Sequence, residues 1–192
     1  MATSTTKPAF KNICVYCGSS PGTDDRYVAE ATQLGGLIAN ADMGLIYGGG
    51  DRGLMGAVAR GVLAGGGKVT GIIPTFLIKR EQEHGADELA GADMIEVPDM
   101  HTRKRMMFDR ADAFVALPGG IGTLEELVEI LTWSQLGQHD KPMVLLNSGG
   151  FWTPYSELMD HMEGAGFLHS PHRARPLMSD TVEGIIPALQ AA

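Results

Sequence analysis

No apolar run in the 192 residues approaches the roughly eighteen that a membrane span needs, and residues Met1 to Pro8 are polar, without the core of a signal peptide. A cytoplasmic protein with no membrane partner is therefore expected. Positive charge is short. Fifteen Lys and Arg against 23 Asp and Glu leave a net charge of -8, which opposes nonspecific binding to nucleic acid, so any phosphate site has to be made locally from helix ends and a few basic side chains. Cysteine is scarce, with Cys14 and Cys17 in one C-x-x-C. In a strand, residues three apart point to opposite faces, whereas redox pairs usually open a helix, so a redox role is disfavoured. His169 and His172 lack carboxylate or thiolate partners at ligand spacing. Neither a metal nor a cofactor is expected.

Glycine is abundant instead, 26 residues, placed at the ends of apolar runs and not in an internal period. That distribution points to many strand-to-helix turns. The hydrophobic share of 44% and charged share of 20% suit one globular domain with a real core, here residues 11–192 after a flexible segment 1–10. In chain order the pattern predicts a strand Asn12 to Cys17, the turn Gly18-Ser19-Ser20-Pro21-Gly22 and a helix opened by Asp24 and Asp25 that runs to about Asn40. A strand Gly44 to Tyr47 leads through Gly48 to Gly56 into a helix ending near Ala64. A third strand, Lys68 to Ile73, is stopped by Pro74. The polar stretch Thr75 to Ala92 reads as a surface excursion over a site. Then come a strand Asp93 to Val97, a helix begun by Asp99 that carries the basic run Arg103-Lys104-Arg105, a strand Ala113 to Leu117 and a helix Leu124 to Leu136. A sixth strand, Met143 to Leu146, and helices Thr153 to Glu163 and Asp180 to Leu189 follow. Strands alternating with helices throughout imply a single-domain α/β fold, a Rossmann-like parallel sheet with helices on both faces. In such sheets ligands bind outside the carboxyl ends of the strands, which is the edge where all these glycine turns gather.

The stretch Leu117 to Glu126 stands out. Gly119, Gly120 and Gly122 let a ligand approach main-chain N–H groups where a helix start adds unpaired donors and partial positive charge, an anion cradle. Glu126 follows Thr123 by three residues, which also fits a capping box. At 100° per residue, Leu124, Leu127, Val128 and Leu131 share one helix face, while Ile130 and Trp133 lie toward the other. The second face suggests a partner surface and a symmetric dimer.

Pro118-Gly-Gly-x-Gly-Thr-x-x-Glu126, with Met100-His101-x-Arg103-Lys104 upstream and Gly48-Gly49-Gly50-x-x-Gly53-Leu54-Met55-Gly56 earlier, closely resembles the LONELY GUY family over Ile13 to Leu168. Those proteins are phosphoribohydrolases that release cytokinin bases from riboside 5′-monophosphates, and they are often misnamed lysine decarboxylases. The resemblance implies that Arg103 and Glu126 form the catalytic pair. It implies nucleotide contacts from Lys104, Gly119, Gly120, Ile121, Gly122 and Thr123, and further substrate contacts from Glu81 and Thr132. Gly49, Gly50, Met55 and Met100 fall in its motifs, and Gly18, Ser19 and Ser20 form the first strand's ligand-facing turn. The chain departs from the family pattern in a longer segment between Glu81 and Asp99.

Chemistry supports the same assignment. Breaking an N-glycosidic bond builds positive charge on the ribose, which a carboxylate such as Glu126 stabilises directly or through an oriented water. Arg103 either pairs with phosphate or sugar oxygens or holds Glu126 ionised. No residue stands out as the general acid. A carrier of a phosphorylated nucleotide or cofactor would use the same turns without needing Glu126. A pyridoxal decarboxylase would need a Schiff-base lysine, and no lysine here sits in a recognisable cofactor pocket.

Overall fold

The computed structural model describes residues 10–78, 89–168, 170 and 174–192. Most of the expected flexible segment 1–10, Glu81 and the centre of the excursion after Thr75 lie outside the described residues. The strands β1 (Asn12–Tyr16), β2 (Gly44–Tyr47), β3 (Val69–Pro74), β4 (Asp93–Val97), β5 (Ala113–Ala116), β6 (Met143–Leu146) and β7 (Leu177–Ser179) form one sheet in the order β4-β3-β2-β1-β5-β6-β7. Every pair is parallel; Ile13 stands beside Leu45 of β2 and Ala113 of β5. β1, β5 and β6 are apolar on both faces, as central parallel strands are when helices cover each side.

Two helical layers do the covering. α1 (Asp25–Asn40), α2 (Gly53–Ala64) and the C-terminal helix α6 (Ile185–Ala191) bury Leu34, Ile38, Val58 and Ile185 against Ile13, Val15 and Leu45. α3 (Met100–Arg110), α4 (Ile121–Gln135) and the entry to α5 (Thr153–Gly164) place Met107, Leu127, Ile130 and Trp152 against Cys14, Ile46 and Phe114. Cys14 and Cys17 serve opposite layers, as their spacing requires. α1 and α2 approach closely enough that a Cβ on Gly35 would collide with the Val58 carbonyl, and one on Gly61 with that of Thr32.

Four expectations change. α4 begins at Ile121, three residues early, with Gly120 as its N-cap and no side-chain capping bond. Thr123 is thus inside the first turn, and the capping box is absent. The face assignment of α4 is also rotated. Leu127, Ile130 and Leu131 are buried, Ile130 to 1% exposure, and Trp133 packs edge-on to Phe108 at 5.0 Å. Ile130 is therefore inside its own domain and offers no partner surface, and Trp133 is half-buried with its ring packed on the same core. Val128, expected in the core, is exposed. A short seventh strand, β7, extends the sheet beyond β6, and the last helix begins at Ile185, not Asp180.

Candidate active site

The strand order reverses between β1 and β5, and the crevice of a parallel sheet opens at that point. Three loops are stitched together there by main-chain bonds. Gly18 N–H donates to the Pro118 carbonyl at 3.0 Å, and the Gly18 carbonyl accepts from Leu54 N–H at 3.0 Å and Met55 N–H at 3.3 Å. Gly53, at φ 54°, lets its backbone press on Ser19, where a side chain would have no room. The first donors of α2 are consequently engaged by protein. At α4 they are not. Gly120 caps without a side-chain bond, the amides of Ile121, Gly122 and Thr123 have no intrahelical acceptor, and the space beside Gly120 and Gly122 is open. Of two similar glycine junctions, only this one presents donors to an anion.

A cleft of about 530 Å³ opens over these loops, within the size of ligand pockets. Its floor holds an ion pair. Arg103 sits in the first turn of α3, which Asp99 caps by accepting from Thr102 N–H at 2.8 Å. Its Nε donates to the Ile72 carbonyl at 3.1 Å, Nη2 to the Gly48 carbonyl at 3.3 Å and Nη1 to Glu126 Oε1 at 3.0 Å. A Cβ on Gly48 would collide with that guanidinium, which explains the glycine. Arg103 and Glu126 are 7% and 8% exposed, so the pair works at low dielectric. Burial raises the Glu126 carboxyl from its ordinary range to about 7; Arg103 opposes the rise, and Glu125 and Glu129 add to it. The carboxyl thus exchanges its proton near neutral pH, and three fixed bonds hold its partner.

Gly18, Ser19, Met55, Met100, Arg103, Gly120, Ile121, Gly122, Thr123 and Glu126 all line this cleft. The other candidates stand apart from the lining. Gly119 packs on Thr123 and the Gly18 nitrogen, Gly49 on Ile73 and Met94, and Gly50 on Met55, while the Ser20 backbone lies against Gly53. Lys104 is buried beside the cleft and its Nζ bridges Glu125 at 2.6 Å and Glu129 at 3.0 Å, a clamp within the protein. Thr132 lies on the outer face of α4, its hydroxyl donating to the Val128 carbonyl at 2.7 Å. There it borders a second, apolar groove of about 650 Å³ with Leu124, Val128, Phe151, Leu158 and Phe167.

The cleft also takes in Tyr16, Arg52, Leu77 and Glu125, which sequence reasoning had not singled out. Arg52 carried a usable signal, a basic residue inside a glycine-rich strand-to-helix turn. Tyr16 and Leu77 carried none, since both read as ordinary apolar positions. Among the described residues, no group of three or more His, Cys, Asp or Glu is placed to hold a metal ion.

The model of the family described as possible lysine decarboxylase matches residues 55–189. A cytokinin riboside 5′-monophosphate phosphoribohydrolase of Rhodococcoides fascians is 41% identical over 187 residues, covering 96% of this chain and 92% of that protein. One from Arabidopsis thaliana is 47% identical over 174 residues, covering 91% and 78%. Among solved structures, a structural-genomics crystal structure aligns over 95% of this chain and 99% of its own with a TM-score of 0.68 and 26% identity. The molybdenum cofactor carrier protein of Chlamydomonas reinhardtii aligns over 94% and 96% with a TM-score of 0.65, and at 23% identity it shares the fold alone. The motifs, the sheet and relatives matched over nearly the whole chain agree: the chain belongs to the LONELY GUY family, which the possible lysine decarboxylase model describes.

Proposed function

We propose that residues 11–192 act as one catalytic unit that hydrolyses the N-glycosidic bond of adenosine 5′-monophosphates, N6-substituted cytokinin forms included, to free base and ribose 5-phosphate. The observation that carries this reading is the buried Arg103–Glu126 pair, 3.0 Å apart, in the same cleft as the open amides of Ile121 to Thr123. The 5′-phosphate sits on those amides, and the ribose is held over Glu126. As the C–N bond breaks, the carboxylate stabilises the oxocarbenium-like sugar and orients the attacking water. A group titrating near 7 is also suited to accepting that water's proton. Arg103 stays on its three protein acceptors and keeps Glu126 aimed. Met55, Leu77, Met100 and Met107 give the cleft an adaptable apolar wall for the base and an N6 substituent. Carriers of the same fold have no need of a buried titrating pair, and the relatives above 40% identity are named as hydrolases.

A homodimer is part of the proposal. Val128 (43% exposed), Leu158 (51%) and Phe167 (79%) crowd the groove between α4 and α5, an apolar patch of the kind that marks an interface. Thr132, on that face and away from its own cleft, then reaches the substrate of the partner's cleft. A cytoplasmic setting completes the reading.

Chromatography of adenosine 5′-monophosphate and an N6-prenylated analogue, incubated with protein but no added metal or coenzyme, tests it. Free base and ribose 5-phosphate are expected, with adenosine cleaved far more slowly. Intact nucleotide in every incubation overturns the enzyme reading.

A further inference from the structure

The family resemblance gives Lys104 a nucleotide contact, yet Lys104 lies outside the cleft lining, with Nζ bonded to Glu125 Oε1 at 2.6 Å and Glu129 Oε1 at 3.0 Å. These bonds are part of a ladder between two helices. Consecutive residues of α3 meet three carboxylates on the first turns of α4. Arg103 takes Glu126 at 3.0 Å, and Lys104 takes Glu125 and Glu129, which are four apart and so share a helix face. Two cations thus hold three carboxylates, and with all five ionised one negative charge is left over.

We propose that Lys104 is a positioning residue that acts through Glu125 and Glu129: by neutralising that pair it lets Glu126 stay ionised beside the substrate, and it makes no contact with the nucleotide itself. Arg103 and Lys104 face Glu126 from α3, Glu125 and Glu129 from its own helix, and Cys14, Tyr16 and Cys17 from β1. Burial pushes the two thiols and the phenol up, so those three stand neutral. What remains is a balance of charges. Burial raises the Glu126 carboxyl; Arg103 and Lys104 oppose the rise, while Glu125 and Glu129 add to it. Because Glu126 is buried, a charge added to or taken from the ladder is felt there more strongly than at a surface. An incoming 5′-phosphate adds roughly -1.5 to -2 charges on the amides of Ile121 to Thr123, within a turn of Glu126, and by itself favours the protonated carboxyl. The clamp on Glu125 and Glu129 works against that push.

This inference rests on the hydrolase reading for its purpose, but its test needs no turnover. Carbon NMR of the glutamate carboxyls follows the titration of Glu126, assigned by the signal missing from Glu126→Gln, in wild type, Lys104→Met and Glu129→Gln. Lys104→Met keeps a long apolar stem without the charge and should raise the Glu126 midpoint by about half to one pH unit. Glu129→Gln leaves Lys104 wholly to Glu125 and should lower it by a similar amount. A packing role alone moves neither midpoint, or both in one direction. Opposite shifts therefore support the assignment, and any other pattern overturns it. An unmoved midpoint in Lys104→Met with a tenfold or greater loss of calorimetric affinity for ribose 5-phosphate would make Lys104 a substrate contact instead. Should Lys104→Met fail to fold, Glu129→Gln decides alone, and the absence of a downward shift overturns the assignment. Wild type that hydrolyses no nucleotide sinks the hydrolase reading, while opposite shifts still place the Glu126 proton under the control of the clamp.

Discussion

Replacing Glu126 by Gln keeps the shape of the side chain and removes its titration, and the structure says how stability should respond. Burial lifts the carboxyl from its ordinary value of 4.5 to about 7. A raised carboxyl binds its proton more tightly in the folded chain than in the unfolded one, so its contribution to stability is fully present below pH 4.5 and is lost as pH rises through about 7. Across that span, at about 1.4 kcal/mol per pH unit, the loss comes to about 3 kcal/mol. Every other titrating group is common to both proteins. Urea denaturation of wild type and Glu126→Gln at pH 4.5 and pH 8 should therefore give a wild type that loses about 3 kcal/mol more than the variant between the two conditions. The carboxylate needed for catalysis is thus held at a cost to the fold. Parallel behaviour of the two proteins, within about 0.5 kcal/mol, would show that Glu126 titrates like a surface carboxyl and would refute the buried-pair argument.

Turnover should follow the same proton: activity is expected to rise as pH increases through about 7, and Glu126→Gln should lie at least a hundredfold below wild type above that pH, roughly the contribution of a general base, with the gap closing as the wild-type carboxyl protonates at lower pH. Gly48→Ala should be as inactive, because its methyl group occupies the space of the Arg103 guanidinium; wild-type rates for it would mean that the three-bond anchorage of Arg103 is dispensable. Light scattering should give twice the 20.4 kDa chain mass, reduced to the single mass by Val128→Glu, whereas a monomeric wild type would remove the proposed contact.

The parallel sheet was legible because its strands are short apolar runs, most of them closed by a glycine turn and followed by helical spacing, with proline ending the third. The Arg103–Glu126 partnership was legible only in part. The motifs named both residues, but that Arg103 holds Glu126 and not phosphate depends on the carbonyls of Ile72 and Gly48, which no local pattern brings together. Lys104 shows a second limit. Adjacent to Arg103 in sequence, it is turned about 100° around α3 and meets the acidic side of α4 instead of the cleft. For α4 itself, periodicity revealed two apolar stripes without saying which faces the sheet. Ile130 won over Val128 because the sheet's neighbour at that angle is Phe114 and its surroundings. β7, three residues ending in Ser179 with two of them exposed, has too little apolar character to read as a strand.

The bare contact between α1 and α2 has a consequence at a distance. Where Gly35 meets Val58 and Gly61 meets Thr32, the two helix backbones touch with no side chain between them to yield. From Gly61 back to Gly53 is eight residues of α2, about 12 Å, and at its far end the helix carries Met55 and the N-cap Arg52 at the cleft rim. α2 is therefore a lever whose fulcrum is two glycines. A methyl group added at the fulcrum collides with the facing backbone and forces the helices apart, and the expected result is a shift of the arm that strains the bonds from Leu54 and Met55 to the Gly18 carbonyl at the cleft. Substitutions in this helical seam, remote from every reacting atom, should alter which substrates fit before they unfold the chain.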